Sequence, residues 1–422
     1  TDTDYYQTVL DYLNSLHTPK ERYFSLHYAP KDTISPDFEN ERLFYTQENA
    51  SKIDAITEVV FTEDFNSVAK DIILTSLMYN MTIHINTSGT MKGFHNGWGG
   101  KGKAALERIL GDIVLEKLPL ISSKGKNRVF CDYAEKVFGN NNIPKVDILY
   151  ADPPYNQHQY SANYNHLTTI VRNDKYDPGP VVKGSRAGIR VDHTRSDFCR
   201  SIKDKELDIK MAEKAFIDFI SGIDAKHVIM SYNNEGVVDI ETLLDILSQG
   251  QKNTIKVKYR VYDKYKGGKT TKTSNKVVEY LLIIDMDEAQ SLEDFTDVKK
   301  ELVITTQKNL FSDRYINYHQ ISHVIDNDDA IILNKEGEGI LSVDKKSYRV
   351  KRDYLDHIED VETVKFVLEY EMDRFALTEQ YIVDLNFSLA AKMINQMTNK
   401  SVQEQKTKLK EMLEKHLSQH SL

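Results

Sequence analysis

From Asn127 onward, short apolar runs alternate with helix-period segments, and this alternation constrains the fold of the 422-residue chain more than any other feature. Arg128-Val-Phe130, Val146-Asp-Ile-Leu-Tyr150 and His227-Val-Ile-Met230 read as buried-type strands. Met211, Ala212, Ala215, Phe216, Phe219 and Ile220 fall at helical spacing before the last of them. Strands separated by helices imply a parallel sheet with helices on both faces. Residues 255–262 and 277–285 flank a Lys/Gly/Thr-rich turn and read as an antiparallel hairpin that finishes the sheet. The first hundred residues read mainly as helix: residues 6–13 are apolar-periodic, and Asp64 or Asn66 is placed to cap a helix through Val68, Ile72, Ile73 and Leu77. Beyond Asp287 the chain turns polar, with strand-like Ala330-Ile-Ile-Leu333 and Gly339-Ile-Leu-Ser342 and a charged helix near 402–416. The expected organisation is a helical, nucleic-acid-recognising region over 1–125, an α/β catalytic region over 126–287 and an α+β extension of unassigned role over 288–422.

Several classes are excluded early. No apolar run approaches the roughly 20 residues that cross a bilayer; Tyr280-Leu-Leu-Ile-Ile284 is a strand's length. The first residues, Thr-Asp-Thr-Asp-Tyr-Tyr, carry neither a basic nor an apolar leader segment, so no signal peptide is expected. Two cysteines, Cys131 and Cys199, make neither a disulfide framework nor a four-cysteine zinc site, and fit a reducing cytoplasm. His95, His158 and His166 show no metal-ligand spacing, and no metal is expected. Net charge is −9, but the window 251–276 holds nine basic residues (Lys252, Lys256, Lys258, Arg260, Lys264, Lys266, Lys269, Lys272, Lys276) and one acid, Asp263, giving it +8 against −17 elsewhere. Such asymmetry suits a confined phosphate-contacting surface; a solvated lysine-rich hairpin is the alternative.

The sharpest chemical signal is Asp152-Pro-Pro-Tyr155, directly after an apolar strand. Pro-Pro is commonly a rigid turn and nothing more. Here it sits at a strand's carboxyl end, where ligands bind in open α/β sheets. A carboxylate and a proline-fixed carbonyl can accept hydrogen bonds from an exocyclic NH2, while an aromatic ring stacks on the same base. That arrangement draws electron density to the amino nitrogen and aims its lone pair at an electrophilic methyl group.

Four segments in order, spanning roughly residues 20–285, resemble the D12 class of adenine-N6 DNA methyltransferases, which use S-adenosylmethionine. They are Arg42-Leu-Phe-Tyr-Thr-Gln-Glu-Asn-Ala-Ser-Lys-Ile-Asp-Ala-Ile56, Met91-Lys-Gly-Phe-His-Asn-Gly-Trp-Gly-Gly100, Asp152-Pro-Pro-Tyr-Asn-Gln-His-Gln-Tyr-Ser-Ala-Asn-Tyr164 and Ser231-Tyr-Asn-Asn-Glu-Gly236. The resemblance implies that Asp152, Pro153, Pro154 and Tyr155 are catalytic, and that Asp132 and Asp152 border the cofactor. For Asp132 a strand-end turn aspartate is an equal alternative. Direct transfer without a covalent enzyme intermediate is implied, on a base flipped out of double-stranded DNA, in a restriction–modification setting. Cytosine-N4 or RNA-base methylation shares the amino-group logic, although Asp before Pro-Pro leans towards adenine. A DNA-recognition subunit without catalysis is the third reading.

Expected DNA contacts gather in three places. In the glycine-dense loop 87–103, Phe94 and Trp98 can stack and Lys92, Lys101 and Lys103 can meet phosphates, or the loop simply surrounds a half-buried tryptophan. Arg186 and Arg190, with Arg195 and Arg200 nearby, suggest phosphate contacts beside the motif, or a solvated loop. Lys264, Lys266, Lys269 and Lys272 lie in the basic hairpin. Asn233-Asn-Glu-Gly236 borders the base pocket or is a plain turn.

The family's cofactor loop, an aromatic-x-Gly-x-Gly turn after its first strand, has no counterpart here. Gly97-Trp-Gly-Gly-Lys-Gly102 meets a loose glycine pattern but follows no buried strand. The resemblance implies a Rossmann-like sheet ordered 3-2-1-4-5-7-6. Strand 3 (Arg128-Val-Phe130), strand 4 (Val146-Asp-Ile-Leu-Tyr150), strand 5 (His227-Val-Ile-Met230) and the 6–7 hairpin have candidates, and strands 1 and 2 have none. Strand 3 would then lack a neighbour and strand 4 would show an open edge. A truncated chain or a second polypeptide completing the sheet would account for this; a split enzyme, in effect a heterodimer, is the expectation.

Overall fold

The computed structural model describes residues 3–100, 102–103, 105–121, 124–182, 186–204, 206–263, 276–311, 314–351, 355, 358, 360–397 and 402–420. Lys101, Lys264, Lys266, Lys269 and Lys272 therefore lie outside the described residues. The chain forms two compact units, Thr1–Phe130 with Gln157–Cys199, and Cys131–Asn156 with Arg200–Leu422.

The first unit is helical. Gln47–Thr62 begins at Thr46, whose side chain accepts from the Asn49 amide, and Ser67–Ile83 begins at Asn66, which accepts from Ala69. Each cap satisfies an otherwise orphaned amide of a first turn. Ile53, Ile56, Ile73 and Leu77 turn inward onto Leu10 and Leu13 of the helix Thr3–Asn14. His166 is sealed among the rings of Phe24, Tyr28, Phe44 and Tyr45, and burial lowers its pKa to about 3, so it is a neutral core histidine.

The second unit carries a four-stranded mixed sheet: β1 (Val146–Ala151), β2 (Ala225–Asn233), β3 (Thr254–Asp263) and β4 (Lys276–Asp285), in the order β1-β2-β4-β3. β1 and β2 are parallel, joined through the helix Met211–Gly222, and β4 runs antiparallel to both β2 and β3. Along β4 the buried residues recur at every second position, Val278, Tyr280, Leu282 and Ile284, and meet Val228, Met230 and Tyr232 of β2 on the covered face. The mixed α/β architecture agrees with the alternation in the sequence.

Two readings are corrected. Arg128-Val-Phe130 is not a strand: no strand precedes β1 among the described residues, and Val129 is 96% exposed. A three-residue apolar run with no neighbouring ladder has nothing to hold its backbone groups in a sheet. β2 also extends beyond Met230 to Asn233, because β4 pairs with it through Asn233↔Glu279, so Ser231, Tyr232 and Asn233 are strand residues. Among the described residues β1 pairs only with β2, and its Ile148 and Tyr150 are 62% and 61% exposed.

Downstream, the helix Leu292–Phe311 packs on the sheet, with Tyr280 Oη 2.9 Å from Thr306 Oγ1. An antiparallel meander follows: β5 (His323–Asp326), β6 (Asp329–Leu333), β7 (Gly339–Asp344) and β8 (Val350–Lys351). It shares one core with the helices Val361–Leu368, Arg374–Val383, Phe387–Gln396 and Gln403–His420.

Candidate active site

β1 delivers Asp152 at its carboxyl end, and Pro153 and Pro154, lacking amide donors, take the chain out of the ladder. Tyr155 is held at three points. Its carbonyl accepts from the Val237 amide at 2.8 Å, its hydroxyl donates to Asp152 Oδ1 at 2.7 Å, and that hydroxyl lies 2.5 Å from Ser231 Oγ on β2. The ring stands edge-on to Tyr232, with centroids 5.6 Å apart. Burial is the main cause raising the Tyr155 pKa; the Ser231 contact opposes it and the Asp152 bond adds to it, so the phenol stays protonated and is the donor. The Asp152 carboxylate is exposed, with Oδ1 engaged by the phenol.

Behind this pair, Tyr232 is fully buried and its hydroxyl both donates to the Val238 carbonyl at 3.0 Å and accepts from the Val238 amide at 3.1 Å. The chain passes so close to this ring at Gly236 that an added Cβ would sit 2.2 Å from Tyr232 Oη. Only glycine fits that approach. Asn234 brackets Val278 on β4, donating through its amide at 3.1 Å and accepting through Oδ1 at 2.8 Å. Residues 234–236 are thus a turn cross-braced to the sheet. The sequence showed a turn there but gave no sign of this bracing, since its partners lie far along the chain.

Asp132, in the same unit, is exposed and held by its own neighbourhood. Oδ1 accepts from the Tyr133 amide at 2.8 Å and Oδ2 from the side-chain amides of Asn140 and Asn141 at 2.9 and 3.2 Å. The Asn140 bond leads the causes that lower its pKa, keeping it anionic. An oriented, exposed carboxylate can take further hydroxyl or amine donors.

The glycine-dense loop belongs to the helical unit. Its organiser is Asn86, fully buried, whose side chain donates to the Leu43 carbonyl at 2.9 Å and accepts from the Gly99 amide at 3.1 Å. Nothing in the sequence singles out this asparagine. Trp98 donates its indole N–H to the Thr33 carbonyl at 3.0 Å, and Phe94 packs on Phe44 at 5.0 Å. Arg186 bonds Asn96 Oδ1 at 3.1 Å and the Phe38 carbonyl, and lies 5.0 Å over the Phe94 ring, so it braces this loop. Lys92 is half-buried and Lys103 exposed. In the described part of the basic hairpin, Lys256, Lys258 and Arg260 are exposed at alternate positions of β3 and therefore share a face.

Arg190 is corrected as a DNA contact. It is 1% exposed, and donates to both oxygens of Asp174 at 2.7 and 2.6 Å, both of Asp192 at 2.9 and 2.8 Å, and Thr169 Oγ1 at 3.1 Å. A guanidinium with its donors committed below the surface cannot meet a phosphate. Arg42, also buried, is a clamp: it donates to the carbonyls of His27, Pro178, Gly179, Pro180 and Arg186. A charge within the apolar-flanked run Arg42-Leu-Phe-Tyr45 was the available signal.

Three relatives are similar over about two-thirds of the chain or less. The modification methylase StsI of Streptococcus sanguinis is 28% identical over 285 residues, covering 65% of this chain and 38% of that protein. The type II methyltransferase M.FokI of Planomicrobium okeanokoites is 30% identical, covering 60% and 36%, and the modification methylase LlaI of Lactococcus lactis subsp. lactis is 30% identical, covering 57% and 35%. The aligned region thus spans little more than a third of each of these proteins. No solved structure matches. Residues 3–219, just over half the chain, match the family described as D12 class N6 adenine-specific DNA methyltransferase. The chain belongs to that family.

Proposed function

We propose that this chain carries the amino-methylating site of a restriction–modification DNA methyltransferase, which transfers a methyl group from S-adenosylmethionine to adenine N6 of a flipped base. The observation that carries the reading is Asp152, an exposed carboxylate at the end of a parallel strand with one oxygen fixed by the Tyr155 hydroxyl. Asp152 would accept an N–H of the substrate's amino group, increasing the electron density on the nitrogen that attacks. The Tyr155 ring and Pro153–Pro154 would hold the base plane, and the surplus amino proton would leave through Asp152 to solvent. S-adenosylmethionine, when bound, supplies an electrophilic methyl group. Positioning and electrostatics carry the rate in such a transfer. The test is transfer of labelled methyl to double-stranded DNA by the chain purified with whatever polypeptide accompanies it.

For the cofactor, the chain offers a partial fit. Asp132 is oriented and anionic, but no glycine-rich turn follows a buried strand among the described residues. The edge of β1 that is unpaired among the described residues, with Ile148 and Tyr150 exposed, supports the reading that a second polypeptide supplies the missing strands and glycine loop. Such an interface would be extensive and apolar. Calorimetry on the isolated chain is expected to show no micromolar S-adenosylmethionine binding, and assays no turnover, with both restored by the accompanying polypeptide. Micromolar binding with turnover by the isolated chain would defeat this reading.

The basic hairpin is the proposed phosphate-contacting surface. Neutralising Lys264, Lys266, Lys269 and Lys272 together should weaken binding to every DNA sequence alike. The slope of log affinity against log salt should flatten by about 0.9 per lost contact. An unchanged slope would make the hairpin a solvated one.

A further inference from the structure

We infer that Ser231 is a positioning residue that sets the orientation of the Asp152 carboxylate through the Tyr155 hydroxyl. The inference rests on the proposed role of Asp152 and adds to it a residue from a different strand, 76 positions beyond Tyr155. Valence gives the direction of both hydrogen bonds. An ionised carboxylate only accepts, so the phenol spends its single proton on Asp152 Oδ1, 2.7 Å away. The 2.5 Å contact between the two hydroxyls then has one assignment: Ser231 donates and Tyr155 accepts. The chain runs Ser231 to Tyr155 to Asp152.

Its two ends differ in rigidity. Ser231 sits on β2, an interior strand paired with β1 on one side and β4 on the other, opposite Leu281. Asp152 follows the last residue of β1 and is exposed. Tyr155 connects them, and it cannot drift, since its carbonyl is held by the Val237 amide and its ring by Tyr232. A donor on the phenolic oxygen polarises its O–H and strengthens the next bond along. The relay thus transmits the position of the rigid strand to the exposed acid. It occupies Oδ1 and leaves Oδ2 to receive a substrate N–H. It also separates two duties of one tyrosine: the ring faces the base, and the hydroxyl aims the acid.

The test compares Ser231→Ala, Ser231→Thr, Tyr155→Phe and the double variant Ser231→Ala/Tyr155→Phe in the chain purified with its accompanying polypeptide. Ser231→Ala and Tyr155→Phe are each expected to lower kcat about ten-fold with KM for DNA changed less than about two-fold, as loss of one link in a coupled hydrogen-bond chain. Ser231→Thr, which keeps the hydroxyl, should retain most of the rate. The double variant should be no slower than either single one, because both remove the same relay. Multiplying effects, or full kcat in Ser231→Ala, would overturn the proposal. The same variants of the chain alone, labelled at tyrosine Cζ, provide a readout independent of turnover. The resonance lost in Tyr155→Phe should shift in Ser231→Ala and stay in place in Ser231→Thr, and its staying in place in Ser231→Ala would overturn the relay. A wild-type complex that transfers no methyl would defeat the proposed function, and the resonance would then decide the relay.

Discussion

Asp152→Ala is expected to reduce methyl transfer by several hundred-fold, up to about a thousand-fold, while leaving the unfolding temperature and DNA affinity nearly unchanged. The two halves of this expectation have separate physical grounds. The carboxylate is exposed and, among the described residues, makes one hydrogen bond to protein, from Tyr155 Oη at 2.7 Å, so its removal opens no cavity. A lost hydrogen bond of this kind costs about 0.5–1.5 kcal/mol of stability, and the phenol keeps Ser231 as a neighbour. In the proposed reaction, the same carboxylate would be the acceptor that meets charge developing on the amino nitrogen. Removing one such preorganised group costs about 3–4 kcal/mol at the transition state, which is a factor of hundreds to a thousand. Thermal melts, DNA titrations and single-turnover transfer on the purified complex check it. Near-native transfer by a folded variant would remove Asp152 from catalysis.

Arg190→Ala is expected to show the opposite pattern, a large loss of stability with no direct effect on phosphate binding. The guanidinium is buried and bridges Asp174 and Asp192, whose side chains are 35% and 46% exposed. Breaking a buried pair by deleting one partner typically costs 3–5 kcal/mol. With both acids partly solvated, the lower end of that range applies, about 3 kcal/mol. The pH dependence carries a signature. Hydrogen bonds from Arg190 lead the causes that lower the pKa of Asp174 and of Asp192. Depressed carboxylates contribute stability that is present above their unfolded values near 4 and lost as pH falls through the folded ones. The gap in denaturation midpoint between wild type and Arg190→Ala should therefore be full at neutral pH and shrink as pH drops below about 4. A gap constant down to pH 2, or a flattened salt slope of DNA binding in a stable variant, would return Arg190 to the surface.

What the sequence made legible was local. β1, β2 and the β3–β4 hairpin are dense in β-branched and aromatic residues and bounded by turn-formers, so their existence could be read directly. Asn66 announced its helix because a cap acts within three residues. The misreadings share a cause, dependence on partners distant in sequence. Arg128-Val-Phe130 has strand composition, but composition cannot create a neighbouring strand. Arg190 looks like a loop arginine until Asp174 and Asp192 fold against it. Ser231 fell outside the strand read as His227–Met230 because the register that makes it a strand residue is set by β4, some fifty positions later. A hydrogen bond between Ser231 and Tyr155 leaves no trace in either residue's local pattern.

The most direct test of the account is product identification. The chain, purified with any polypeptide that accompanies it, is incubated with methyl-labelled S-adenosylmethionine and double-stranded DNA, and the DNA is digested to nucleosides and analysed by mass spectrometry. The account predicts label in N6-methyladenine alone, and none when Asp152→Ala replaces the native chain. Label in N4-methylcytosine, or N6-methyladenine formed equally well by the Asp152→Ala complex, would contradict it.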